Sequence, residues 1–171
     1  MAKRRRLSIG VEIINFSTGG NLQIETGGGT DLIGLLDVEV GANAVITTGA
    51  NHDDVGIVGT FVAGSTSINT GSGNDRVGIL DAYSQGDVLV LLQQGHDTLA
   101  VAGSLSIGSN AKVTLNGGTG GLGEIDTLDV TLETEVPLEA TVISFEVLDS
   151  TGLAYEILDE VFGNLFSDID P

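Results

Sequence analysis

Five aspartates recur along this 171-residue chain: Asp31, Asp53, Asp75, Asp97 and Asp126. The first four are spaced 22 residues apart, since 53 − 31, 75 − 53 and 97 − 75 all equal 22. The turns before Asp31, Asp53 and Asp75 are rich in glycine, that before Asp97 reads Gln93-Gln94-Gly95-His96, and each aspartate leads into a short apolar strand. The fullest version reads Gly71-Ser72-Gly73-Asn74-Asp75-Arg76-Val77. Carboxylates repeated beside glycines suit oxygen ligation of a hard cation, Ca²⁺ above all. Glycine tolerates positive φ, which lets a turn curl its carbonyls toward the same point. Stacked carboxylates ~4.8 Å apart repel by ~1 kcal/mol per neighbouring pair even in water, so a column of them asks for a compensating partner. That partner is either a cation or the backbone N–H groups of the turn itself, which aspartates cap readily. The candidate metal ligands are therefore Asp31, Asp53, Asp75, Asp97 and Asp126, with Gly71, Gly73 and Asn74 from the fullest turn.

The elements that must hold this column follow from the same period. Turns open at Thr26, Thr48 and Thr70, and 48 − 26 and 70 − 48 both equal 22. A fourth opens at Leu92, and a fifth, with an enlarged turn, at Asn116 after a slip of two, since 116 − 92 = 24. A fixed period in this range marks a solenoid. Each repeat has a second half, in which a glycine (Gly20, Gly64, Gly86, Gly108) precedes an alternating strand. Alternation places Ile24, Ile46, Ile68 and Val90 in one inward ladder. Val55, Val77 and Leu99 form a second ladder, and Ile57, Ile79 and Val101 a third. Short strands stacked on their own copies give parallel sheets. The expected fold is all-β: a parallel β-helix of roughly 22-residue coils, right-handed because strand-crossover-strand connections almost always are.

The expected organisation is a basic arm at 1–6, a solenoid at 7–130 and a C-terminal part at 131–171. Residues 7–25 form an irregular first coil, with further coils from 26, 48, 70, 92 and 116. In the C-terminal part, 141–148 reads as strand. Ala154, Ile157, Leu158, Val161, Phe162, Leu165 and Phe166 recur at helical spacing and predict an amphipathic helix that caps the solenoid. That helix either lids the C-terminal end or docks onto another chain. Asp54 falls over Arg76 and predicts a surface ion pair.

Composition narrows the function. The chain carries 24 acids, 6 bases and no cysteine. Four of the bases are Lys3, Arg4, Arg5 and Arg6, which leaves the rest at 2 − 24 = −22. Such a body repels nucleic acid and anionic membranes and attracts cations and basic surfaces. No apolar run approaches the ~20 residues of a spanning helix. The N-terminus makes a poor signal peptide. His52 and His96 share a column but lie two coils apart, ~9.6 Å by strand spacing, so they read as turn residues and not as a metal pair. No nucleophile-base arrangement can be placed, and an enzyme is not expected. Thr26, Thr48 and Thr70 form a three-member ladder, which reads either as turn hydroxyls that satisfy hydrogen bonds or as an ice-binding column, the latter without a parallel partner column beside it.

The turn Gly71-Ser72-Gly73-Asn74-Asp75-Arg76-Val77 resembles the glycine- and aspartate-rich repeat of hemolysin-type calcium-binding (RTX) proteins. More broadly, the chain resembles secreted parallel β-helix repeat proteins. The resemblance implies Ca²⁺ held between successive turns, with Asp31, Asp53, Asp75 and Asp97 at the aspartate position. Gly27, Gly29, Gly49, Gly71, Gly73 and Gly95 match its glycines, while Asn51 replaces one of them. It also implies an extracellular or cell-surface protein. The chain departs from the family in having one such turn per 22 residues, where the family has two per shorter coil. The expected function is a structural module of a surface layer or filament, stabilised by Ca²⁺ and associating head to tail. The alternatives are a glycan- or ligand-binding β-helix and a cytoplasmic polymer similar to the bactofilins.

Overall fold

The computed structural model describes residues 8–118, 125–130, 141–145, 147–149 and 153–162. The basic arm lies outside the described residues, and Leu165 and Phe166 of the predicted helix do too.

The strands, in chain order, are β1 (Gly10–Thr18), β2 (Leu22–Gly28), β3 (Leu32–Val40), β4 (Ala44–Ala50), β5 (Asp54–Val58), β6 (Phe61–Val62) and β7 (Thr66–Ser72). They continue as β8 (Arg76–Ser84), β9 (Val88–Leu91), β10 (Thr98–Ile107), β11 (Val113–Asn116), β12 (Thr127–Val130), β13 (Thr141–Ile143) and β14 (Val147–Asp149), and α1 (Leu153–Phe162) follows. One sheet runs β1-β3-β5-β8-β10-β12-β14, with β6 alongside β3 and β8. The other runs β13-β11-β9-β7-β4-β2. All pairings are parallel, and from β1 to β10 the first sheet's partners are 22 residues apart over most of their length. The chain is a parallel β-solenoid of about five turns. The strand expected over 141–148 is two strands, β13 and β14, which extend both sheets beyond residue 130.

The inward ladders are those the alternation dictates. Ile24, Ile46, Ile68 and Val90 stack in register, followed by Leu115. Ile33, Val55, Val77 and Leu99 stack in the other sheet, and Leu35, Ile57, Ile79 and Val101 beside them. All of these belong to one buried apolar core.

The long strands of the first sheet bend at a column the period also marks. Asn15, Asp37, Gly59, Asp81 and Gly103 have φ of 50°, 52°, 57°, 52° and 63°. Asn, Asp and Gly are the residues that tolerate this left-handed conformation. The bend lets one strand turn a corner, so that Val38 and Val40 return to the core behind Ile33 and Leu35.

The described helix packs along the flank of the solenoid, where the expectation placed it over the C-terminal end. Ile157, Leu158, Val161 and Phe162 form a second apolar cluster with Val58, Leu80, Ala100 and Ala102 on the outer face of the first sheet. The floor is a strip of small residues one period apart: Gly34, Gly56, Gly78 and Ala100. A Cβ on Gly34 would meet the Phe162 ring at 2.6 Å, and one on Gly78 would meet Ile157 at 3.1 Å. A glycine inside a strand often marks such a close approach. The helix therefore runs back across the strands, from above β8 at Ile157 to above β3 at Phe162.

Candidate functional site

The aspartate column exists, and it is inside the protein. Asp31, Asp53, Asp75, Asp97 and Asp126 are all buried, at 2% exposure or less. Each carboxylate reaches one coil toward the N-terminus. Its Oδ1 accepts the backbone N–H of the residue one register earlier: Ile9 to Asp31 at 2.8 Å, Asp31 to Asp53 at 2.8 Å, Asp53 to Asp75 at 2.9 Å. The series continues from Asp75 to Asp97 at 2.8 Å and from Asp97 to Asp126 at 3.0 Å. The aspartates do cap backbone N–H groups. They cap the neighbouring coil and not their own turn, which makes the column a chain of ties between coils. Asp126 keeps its place in the column although it follows Asp97 by 29 residues.

The glycines around the column have a backbone reason. Gly27, Gly49 and Gly71 have φ of 93°, 114° and 93°, and Gln93 continues the column at 76°. A Cβ on Gly49 would collide with the carbonyl oxygen of Gly27 in the adjacent coil. Two constraints, handedness and close stacking, coincide there. Gly29, Asn51, Gly73 and Gly95 form a second positive-φ column, so the Asn51 departure from the glycine pattern is one that the conformation accepts.

The turn hydroxyls run alongside. Thr26, Thr48 and Thr70 each donate to the main-chain carbonyl one coil on: Thr48, Thr70 and Leu92, at 3.2, 2.9 and 3.0 Å. Asn74 Oδ1 accepts the N–H of His96 at 3.0 Å, and His96 Nδ1 accepts the N–H of Ile125 at 3.0 Å. His96 is thus a turn residue, as its spacing implies.

Burial sets the electrostatics of the column. Loss of water pushes the Asp75 carboxyl up to about 7 from an ordinary 3.8, partly offset by the Asp53 N–H and the Thr70 hydroxyl. The carboxylates of Asp53 and Asp54 add to the rise. Asp53 is also raised, mainly by burial, with Thr48 and the Asp31 N–H opposing. The Oδ2 atoms of Asp31, Asp53 and Asp75 are buried without a hydrogen-bond partner.

Among the described residues, those three oxygens are what favours a cation. Ca²⁺ takes six to eight oxygen ligands. The Oδ1 atoms already hold backbone N–H groups. The turn carbonyls that would complete a shell are engaged between coils: Ala50 accepts from Gly29, Ser72 from Asn51, Gly71 from Gln94 and Gln94 from Gly73. Among the described residues, no three acidic, histidine or cysteine side chains converge as a metal-binding group. As arranged, the donor set does not fit a hemolysin-type calcium site.

Two features escaped the sequence reading. One is the Gly34-Gly56-Gly78-Ala100 strip, whose signal was a small residue at one fixed position in four strands. The other is a second capping column at the opposite corner. Asn21 Oδ1 accepts the N–H of Asn43 at 3.0 Å, Asn43 Oδ1 that of Ser65 at 2.9 Å and Asp87 Oδ1 that of Lys112 at 2.9 Å. Here the side chain reaches toward the C-terminus, opposite to the aspartate column.

The Asp54–Arg76 pair forms, and it is more than a surface contact. Arg76 Nε meets Asp54 Oδ1 at 2.7 Å, and Nη2 meets Asp54 Oδ2 at 2.8 Å and Glu160 Oε2 at 2.6 Å. Asp54 is buried. The guanidinium, its pKa raised chiefly by Asp54, fastens the helix to the sheet.

No family model matches this chain, and no curated protein or solved structure shows significant similarity to it. The likeness to hemolysin-type repeats rests on the turn residues alone.

Proposed function

We propose that this chain is a structural solenoid module, with carboxylate-to-amide bonds between coils taking the place that bound calcium has in the repeats it resembles. The observation that carries this reading is the unbroken run of five aspartates, each spent on the backbone of a neighbouring coil. Side chains committed in this way hold the architecture together and leave little free for a substrate. An acidic, cysteine-free rod of this kind suits a surface layer or filament outside the cell, and the same body suits a cytoplasmic scaffold.

A glycan-binding face is the competing reading, and exposed aromatic rings are what it needs. Phe61 and Tyr83 lie on the outer surface but stack on each other, with centroids 5.1 Å apart and planes 7° from parallel. Each spends one ring face on the other, which favours a structural role for the pair.

The experiment is a thermal melt by circular dichroism with millimolar Ca²⁺ and with EDTA, together with a glycan panel. A ligand that binds only the folded state raises Tm. Equal melting temperatures and no glycan binding support the structural module. A calcium-dependent rise overturns the metal-free column, and specific glycan binding overturns the structural role.

A further inference from the structure

We propose that Asp53 and Asp75 are neutral carboxylic acids in the folded chain, each holding a proton on Oδ2 and donating it to the hydroxyl oxygen of Thr48 and Thr70, so that the middle of the column is a pH-sensitive bolt between coils. This rests on the structural-module reading and names what regulates it: the proton.

The hydrogen bonds of the column carry the inference. Asp53, Asp75, Thr48 and Thr70 are all fully buried. Oδ1 of each carboxyl is occupied, by the N–H of Asp31 at 2.8 Å and by the N–H of Asp53 at 2.9 Å. Oδ2 of each is buried and has no hydrogen-bond partner. A threonine hydroxyl lies beside it, Thr48 for Asp53 and Thr70 for Asp75. A hydroxyl has one hydrogen and two lone pairs. Thr48 gives its hydrogen to the Thr70 carbonyl at 2.9 Å, and Thr70 gives its own to the Leu92 carbonyl at 3.0 Å. Each hydroxyl therefore turns a lone pair to the carboxyl.

An ionised carboxylate only accepts, so two acceptors would face each other in a buried place. A hydroxyl that swung its hydrogen to Oδ2 would satisfy the carboxylate but release the carbonyl of the next coil. A proton on Oδ2 satisfies every group at once. The acid donates to the hydroxyl, the hydroxyl donates to the carbonyl, and Oδ1 keeps its N–H. The chain of bonds then runs from Asp75 Oδ2 to Thr70 Oγ1 to the Leu92 carbonyl, and bonds in such a chain polarise one another.

The charges around the pair act in the same direction. Asp75 feels the carboxylates of Asp53 and Asp54, and Asp53 those of Asp31 and Asp54. On the other side, Asp97 Oδ1 accepts the Asp75 N–H at 2.8 Å. Arg76 turns its guanidinium to Asp54 and Glu160, and the helix brings Glu160 and no base to that contact. His52 and His96, next to the column in sequence, are exposed. As pH rises, the two carboxyls lose their protons, the bonds to the threonines go with them, and buried like charges are left on successive coils.

The test is carbon-13 NMR of the aspartate carboxyl carbons of the full chain, in EDTA, from about pH 4 to about pH 9. Disappearance of a signal in Asp75→Asn assigns Asp75. The expected midpoint is about 7, with the acid form dominant below it. Thr70→Val keeps the shape and removes the hydroxyl. The midpoint should then fall by about one unit, a tenfold loss of proton affinity, and Thr70→Ser should restore it. A rise in Thr70→Val would show the hydroxyl donating to a carboxylate and overturns the proposal. So does a midpoint near the ordinary 3.8 in the unchanged chain, whether or not the variant folds. Neither result touches the structural-module reading, which fails on glycan binding or on a calcium-dependent rise in Tm.

Discussion

The Asp75 carboxylate accepts the backbone N–H of Asp53, 22 residues earlier, at 2.9 Å, and both residues are fully buried. A turn aspartate is thereby a tie between coils, and what it requires is an acceptor at Oδ1, not a negative charge. Asparagine supplies that acceptor as well. Asp75→Asn is expected to fold with a Tm at pH 8 equal to or above that of the unchanged chain. Asp75→Ala leaves the Asp53 N–H buried without a partner, a loss of about 1–3 kcal/mol. Thermal melts of the two variants check this. A metal ligand would fail in both substitutions.

The same residue predicts a dependence on pH. The Asp75 carboxyl is raised from 3.8 to about 7 in the folded chain, and Asp53 is raised as well. The folded state holds these protons more tightly than the unfolded state does. The contribution of Asp75 is complete below about pH 3.8 and is lost as pH rises through about 7, and that of Asp53 runs in the same direction. Tm is expected to be higher at pH 5 than at pH 8, and Asp75→Asn should flatten the difference. A melting series across that range measures it.

Arg76 joins the helix to the sheet through Glu160 and neutralises buried Asp54. Arg76→Met leaves the Asp54 charge buried and alone, and about 1–3 kcal/mol of destabilisation is expected once the partial exposure of Arg76 is allowed for. Glu160→Gln removes a largely exposed partner and should cost about 0–1 kcal/mol. Denaturant unfolding of both variants tests the ordering. Equal effects would mean that the helix contact, and not Asp54, carries the energy.

Gly56 lies under the helix, where a Cβ would sit 3.0 Å from Val161 and 3.1 Å from Leu158 and Phe162. Gly56→Val should lift the helix while leaving the solenoid standing, at a cost of about 1–3 kcal/mol. Limited proteolysis should then cleave near the C-terminus well before the strands are attacked. A variant that unfolds as a whole would show that the flank helix and the coils form one cooperative unit.

The period of 22, the inward ladders and the aspartate column were legible in the sequence, because repetition and strand alternation fix which side chains share a column and which face they take. Asp54 over Arg76 followed from the same count. The stacked structure decided what the columns do. The direction of each aspartate bond, its burial and the engagement of the turn carbonyls depend on how one coil sits on the next, which spacing within a coil does not specify. The same holds for the helix. Its amphipathic period showed that it must bury a face, but its place on the flank was set by Gly34, Gly56, Gly78 and Ala100. Those residues form a strip only once four strands lie side by side.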